Sequence, residues 1–153
     1  MSFVKASAYD VRPTTIPRMK KNPSKKQIID AIAACNEKKA EDLTVLELDK
    51  NSGAFTDYFL ICSGTNPRQI QAISDEVELR LKRTGVYPNN IEGYKQAEWV
   101  LLDYVDFVVH VFSQSARQYY DLERLWRSAK KIAPEEFTAK PRRTPSRKPR
   151  KRA

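Results

Sequence analysis

AEWVLLDYVDFVVHVF, Ala97 to Phe112, is the stretch on which the fold turns. WVLLD (99–103) and FVVHVF (107–112) are two apolar runs three residues apart, the spacing of an antiparallel hairpin. Strand alternation places Phe107, Val109 and Val111 on one face and Val108, His110 and Phe112 on the other. The stretch also carries Asp103, Asp106 and the only histidine of the chain, so it has to be weighed as an active site. General acid–base work requires a partner for the histidine within hydrogen-bond reach. The two aspartates flank the hairpin turn, where carboxylates commonly accept backbone N–H groups. A hairpin whose carboxylates organise the turn and whose histidine packs is the simpler reading.

The neighbouring segments extend the pattern in both directions. YFLICSG (58–64) is a nearly continuous apolar run closed by Gly64, which suits a strand buried on both faces. LTVLELD (43–49) reads as a strand, and KNSGAFTD as the turn after it. SKKQ, from Ser24, has capping-box spacing, and Ile28, Ile29, Ile32 and Cys35 then share one side of a helix over about 25–39. Asn66-Pro67 is an N-cap followed by proline in the first helical position. Ile70, Ile73, Val77 and Leu81 form the apolar stripe of a helix over about 67–84, stopped by Gly85. YPNNIEG reads as a turn-rich connection. Ser113 or Ser115 opens a last helix with Tyr119, Leu122, Leu125, Trp126, Ala129 and Ile132 on one side, ended by Pro134. The order α-β-β-α-β-β-α predicts an α/β single domain: a mixed sheet, parallel in part, with helices packed on it.

Composition sharpens the domain boundaries. The chain of 153 residues has a net charge of +9, yet the charge is unevenly spread. Residues 1–23 carry +4 and residues 138–153 carry +8, which leaves 24–137 with 15 basic against 18 acidic side chains, or −3. The chain therefore divides into a basic N-terminal arm (1–23), a mildly acidic folded segment (24–137) and a Lys/Arg/Pro-rich tail (138–153) of the kind that is disordered when free. A pI of about 9.6 belongs to the ends and not to the fold. Cys35 and Cys62 lie inside apolar runs, the setting of buried free thiols. No apolar run approaches the roughly 20 residues of a membrane span. The acid-poor 1–23 leaves an organellar address open beside a cytoplasmic one.

Little else in the sequence carries chemistry. CSGTNPR (62–68) joins a strand to a proline-started helix and offers N–H groups to a phosphate, but it has one glycine and no Lys-Ser/Thr pair. IEGYKQAEW (91–99) and RQYYDLERLW (117–126) mix aromatic and charged residues, the composition of a protein–protein contact surface.

DYFLICSGTNPRQIQAI, EGYKQAEWVLLDYVDFVVHVF and RQYYDLERLW, in this order and spacing, resemble the ribosomal silencing factor family, also called RsfS or Iojap. The likeness runs from roughly Ser24 to Lys131, about seven-tenths of the chain. It implies an α/β domain with the shape of a nucleotidyltransferase, but with no catalytic residues, cofactor or metal. It implies binding to the large ribosomal subunit at ribosomal protein L-fourteen, on the face that meets the small subunit. A protein seated there blocks subunit joining and represses translation when nutrients are scarce. The segment's charge of −3 has the right sign for a basic ribosomal partner. Carried over from the matching motifs, the contact residues are Trp99 with Tyr94 and Glu98, followed by Asp57, Arg68, Arg117, Tyr120 and Asp121. Two positions depart from the family pattern. Asn66 replaces a serine and is an equivalent cap. Val105 replaces a turn glycine and, disfavouring positive φ, predicts a differently built hairpin.

The basic tail is expected to touch ribosomal RNA phosphates, and an exposed aromatic patch gives the free protein a reason to form a homodimer. The competing expectation is a nucleotide-binding or nucleotidyl-transferring enzyme, with Gly64–Arg68 as phosphate cradle and Asp103, Asp106 or His110 as catalytic groups. An active enzyme of that shape would carry Gly-Ser and then Asp-x-Asp on a strand. Here Thr65 follows Gly64, and Asp-x-Asp occurs nowhere. A third expectation is a general RNA-binding protein that acts through its tails.

Overall fold

A computed structural model of the chain describes residues 23–138, with side chains from Lys25 to Phe137. The arm and the tail lie outside the described residues apart from their boundary positions, Pro23 and Thr138, which begin the first helix and end the last.

Six strands form one mixed sheet. In chain order the elements are α1 (Pro23–Glu37), β1 (Glu41–Glu47), β2 (Tyr58–Gly64), α2 (Pro67–Lys82), β3 (Asn90–Glu92), β4 (Trp99–Asp103), β5 (Phe107–Ser113), α3 (Gln114–Tyr120), α4 (Leu122–Leu125), β6 (Lys130–Ile132) and α5 (Pro134–Thr138). The spatial order is β3-β4-β5-β2-β1-β6. β2 and β5 pair in parallel, and every other pairing is antiparallel. The parallel pair is joined through α2, as such a crossover requires.

The first sheet face is covered by α1 and α2. Ile28, Ala31, Ile32 and Cys35 from α1 and Ile70, Ile73, Val77 and Leu81 from α2 pack with Leu60, Cys62, Val100, Leu102, Phe107, Val109 and Val111. The helix stripes read from the sequence are these, with Ile29 half-buried on the flank. Cys35 and Cys62 face each other across that core as free thiols, with their sulfurs 3.9 Å apart. α2 starts as expected: Asn66 Oδ1 accepts the Gln69 N–H at 2.8 Å, and Pro67 occupies the first turn.

The C-terminal third departs from the expectation of one long helix. Asp121 sits at φ 48°, a left-handed conformation that aspartate tolerates better than most residues, and it breaks the helix after about two turns. Residues 130–132 then form β6 against β1, and Pro134 begins α5 instead of ending a helix. Tyr119 and Leu125, expected on a buried stripe, are 82% and 71% exposed. β3 was hidden inside the turn-rich YPNNIEG and pairs over three residues with β4. α1 begins at Pro23, so Ser24 lies in its first turn and not before it.

The hairpin at the centre is built as read except at Asp106 and Val105; Asp106 joins the turn through its backbone, its N–H donating to the Tyr104 carbonyl at 2.8 Å. Asp103 Oδ1 accepts the Val105 N–H at 2.8 Å, so that carboxylate does organise the turn. Val105, however, adopts φ 73° despite its branched Cβ. The turn keeps the glycine conformation without the glycine.

Candidate partner-binding face

Among the described residues, the second sheet face is covered at one end only. It presents Trp99, Leu101 and Asp103 from β4, Val108, His110 and Phe112 from β5, and Phe59 and Ile61 from β2, as the cross-strand register requires. α3 and α4 close part of it with Ala116 and Leu122, which pack with Leu46, Leu48, Ile61 and Phe112. Beyond them an aromatic strip runs across the strands. Trp99 lies 5.1 Å from Phe112 and 4.6 Å from Tyr120 between ring centroids, and Phe59 meets His110 at 4.5 Å and Trp126 at 5.6 Å. Such contacts hold rings in fixed poses, and fixed aromatic rings are good anchors for a protein partner.

His110 is the polar centre of this strip. It is 3% exposed. The indole Nε1–H of Trp99 donates to its Nδ1 at 3.0 Å. An indole can only donate, so Nδ1 is the acceptor and the ring proton sits on Nε2. Burial pushes the pKa down to about 3, which keeps the ring neutral at physiological pH. The role expected of it, packing, is the one it has.

The residues expected to meet a partner fall into separate places. Trp99 and Tyr120 are in ring contact, with Tyr120 47% exposed. Glu98, exposed beside them, accepts the Ser113 N–H through its carbonyl at 2.8 Å. Arg117 is occupied internally: its guanidinium grips Glu123 at 2.9 and 3.2 Å and Ser63 Oγ at 3.0 Å, tying α3, α4 and β2 together. Asp121 forms the joint between α3 and α4. Tyr94 is turned toward α2, where its hydroxyl donates to Asp75 at 3.1 Å. Asp57 leads into β2 and donates its N–H to the Asp106 carbonyl, while Arg68 is exposed in the first turn of α2. The structure thus gathers Trp99, Glu98 and Tyr120, with Arg117 and Asp121 bracing them, and leaves Tyr94, Asp57 and Arg68 elsewhere.

Sequence reasoning missed Phe55. It lies in KNSGAFTD, read only as a turn, and is fully exposed over the open face. An aromatic residue inside an otherwise polar turn was the available signal.

The phosphate-cradle segment spends part of its hydrogen-bonding capacity internally. The Thr65 N–H donates to Gln69 Oε1 at 2.7 Å, the Gln69 N–H to Asn66 Oδ1, and the Ile70 N–H to the Asn66 carbonyl at 3.0 Å. Gly64 serves packing, because a Cβ there would come within 2.7 Å of Ile70 Cγ1. Among the described residues no group of three His, Cys, Asp or Glu is placed to hold a metal ion, and no helix is long and apolar enough to cross a membrane.

Comparison with known proteins gives a consistent result. The family model described as "ribosomal silencing factor during starvation" matches residues 21–153. The ribosomal silencing factor RsfS of Bacillus subtilis is 44% identical over 99 residues, covering 65% of this chain and 83% of that protein. A crystal structure of a Chromobacterium violaceum protein superposes with a TM-score of 0.64 at 32% identity, over 71% of this chain and 88% of that one. A Bacillus halodurans crystal structure gives 0.61 at 38% identity, over 71% and 97%.

Proposed function

Given that the chain belongs to the ribosomal silencing factor family, we propose that it binds the large ribosomal subunit at ribosomal protein L-fourteen and there blocks joining of the small subunit. Translation falls because fewer complete ribosomes form. The protein acts as a non-enzymatic binding module, in the cytoplasm, with its basic tail adding salt-dependent attraction to ribosomal RNA.

The observation that carries this reading is the half-covered sheet face with its aromatic strip. A soluble domain that leaves such rings half-exposed, held in register by neighbours, has a surface ready for a partner. Trp99, Tyr120 and Glu98 form the centre of the contact, and Arg117 and Asp121 hold α3 and α4 beside it. Tyr94, Asp57 and Arg68 add to the contact only if the partner reaches around the domain.

Several groups that the enzyme reading would use are engaged elsewhere. Asp103 caps the turn, His110 Nδ1 is taken by an indole, and the Thr65 and Gln69 N–H groups after Gly64 are bonded to Gln69 and Asn66.

Sedimentation of isolated ribosomal subunits with the full chain tests the proposal. Wild type is expected to travel with the large subunit and to reduce reassociated ribosomes, and Trp99→Ala to do neither. Absence of co-migration at physiological salt would reject the proposal.

A further inference from the structure

Next to Trp99 the open face deepens into a groove of about 530 Å³. Phe55, Phe59, Leu101, Val108 and Trp126 form its walls and His110 lies at its floor. That volume is within the range of pockets that enclose a small ligand or a side chain or two. Two polar atoms there are buried without a hydrogen-bond partner among the described residues: Nε2 of His110 and Oγ1 of Thr56. Since Nδ1 accepts from Trp99, the unpartnered His110 nitrogen bears the proton and is a donor. A buried donor without an acceptor is costly, and a donor at the floor of an open groove finds its acceptor in whatever fills the groove.

Charge selects among occupants. Asp103 is the one charged side chain among the lining residues, and no lysine or arginine joins it. A second copy of the folded segment, itself −3 overall, would approach against the sign of its own net charge. A basic protein meets it with the favourable sign.

We propose that the groove receives one apolar side chain of an extended, basic segment of the protein partner, whose backbone carbonyl accepts the His110 Nε2–H while a neighbouring cationic side chain faces Asp103. The inference rests on the ribosome-binding reading above and adds a second recognition point to the Trp99 strip. The two are joined through the His110 ring, which bonds Trp99 on one side and faces the groove on the other.

Two substitutions separate the nitrogens. Asparagine at position 110 places an amide oxygen near Nδ1, where it still accepts from Trp99, but has nothing at the Nε2 position. Glutamine reaches the Nε2 position and supplies an N–H there. With purified ribosomal protein L-fourteen and with isolated large subunits as probes, His110→Asn is expected to weaken binding by about tenfold. His110→Gln is expected to recover part of that loss, and Phe55→Ala to weaken binding several-fold. Unchanged tryptophan emission, to which Trp99 and Trp126 both contribute, and an unchanged thermal midpoint show that the strip and the fold survive. Should His110→Asn fail to fold, Phe55→Ala decides alone, since that side chain is fully exposed.

If His110→Asn and Phe55→Ala bind like wild type while Trp99→Ala does not, the groove inference is overturned and the ribosome reading stands. If wild type binds neither probe, both fall. If Phe55→Ala abolishes self-association and leaves both probes bound as before, the occupant is a second copy and the proposal is wrong.

Discussion

The Trp99 indole and the His110 imidazole, diagonal neighbours on β4 and β5, are joined by one hydrogen bond of 3.0 Å between Nε1 and Nδ1. That bond orients the half-buried indole and fixes the histidine tautomer. A single contact therefore sets the pose of the aromatic strip and the identity of the groove donor.

The same histidine makes stability depend on pH. Its folded pKa is about 3, below the usual value near 6.5, because burial disfavours the charged ring. Between those values the unfolded chain binds a proton that the folded chain refuses, so stability is complete above about pH 6.5 and is lost as pH falls. The slope is about 1.4 kcal/mol per pH unit, which predicts a loss of about 2 kcal/mol between pH 6.5 and 5. It is the only histidine in the chain, so the limb is assignable. Urea unfolding at several pH values should show it in wild type and not in His110→Gln. Equal slopes in the two would remove the assignment.

Val105 should be improvable. A branched residue at φ 73° carries backbone strain of about 1–3 kcal/mol, and its side chain is 59% exposed, so little packing is lost on removal. Val105→Gly is expected to raise the thermal midpoint, corresponding to a gain of about 1 kcal/mol after the entropy of an added glycine is counted. A lower midpoint would show that the side chain contributes more than the strain costs.

Arg117 braces the region that follows β5. Its guanidinium holds Glu123 bidentately and Ser63 singly, with side-chain exposures of 13% for Arg117 and 27% for Glu123. Arg117→Ala leaves Glu123 half-buried without its cation and is expected to cost about 1–3 kcal/mol in chemical denaturation. Arg117→Lys should recover little, because an ammonium cannot reproduce the fork. Near-complete recovery by lysine would reduce the contact to simple charge pairing.

The two thiols should be inert in the native protein. Both are buried, and the hydrogen bond with Cys62 together with burial raises the Cys35 pKa. Titration with a thiol reagent is expected to find no reactive sulfur in the folded chain and two in denaturant. Rapid labelling under native conditions would mean that α1 leaves the sheet readily.

Where the sequence was legible, one structural period dominated. Ile70, Ile73, Val77 and Leu81 make a stripe that nothing interrupts, and the cap at Asn66 and the stop at Gly85 bound it from both ends. The alternation of FVVHVF foretold both faces of β5, including the side on which His110 lies. The C-terminal third was misread because helical spacing continues across Asp121, and one left-handed residue, invisible to periodicity, redirects the chain. β3 and β6 are three residues each, too short for any period, and depend on the neighbour they pair with. Among the site residues, Tyr94 was expected beside Trp99 but turns toward Asp75 on α2, and Tyr120 meets the indole in its stead. The groove did not announce itself, since its walls come from a turn, three strands and the loop after α4, and only the fold brings them together.

The brevity of β3 and β6 has a consequence for assembly. They are the outermost strands, and each offers at most three residues of unpaired backbone; β6 begins with two lysines. Short, charged margins resist lateral growth of a sheet into another chain. Ribbon-like addition of strands, the route by which many β-rich molecules stick to one another, is thereby blunted on both sides. The broad surface is the one left to form contacts, and side chains, not backbone ladders, decide who binds there.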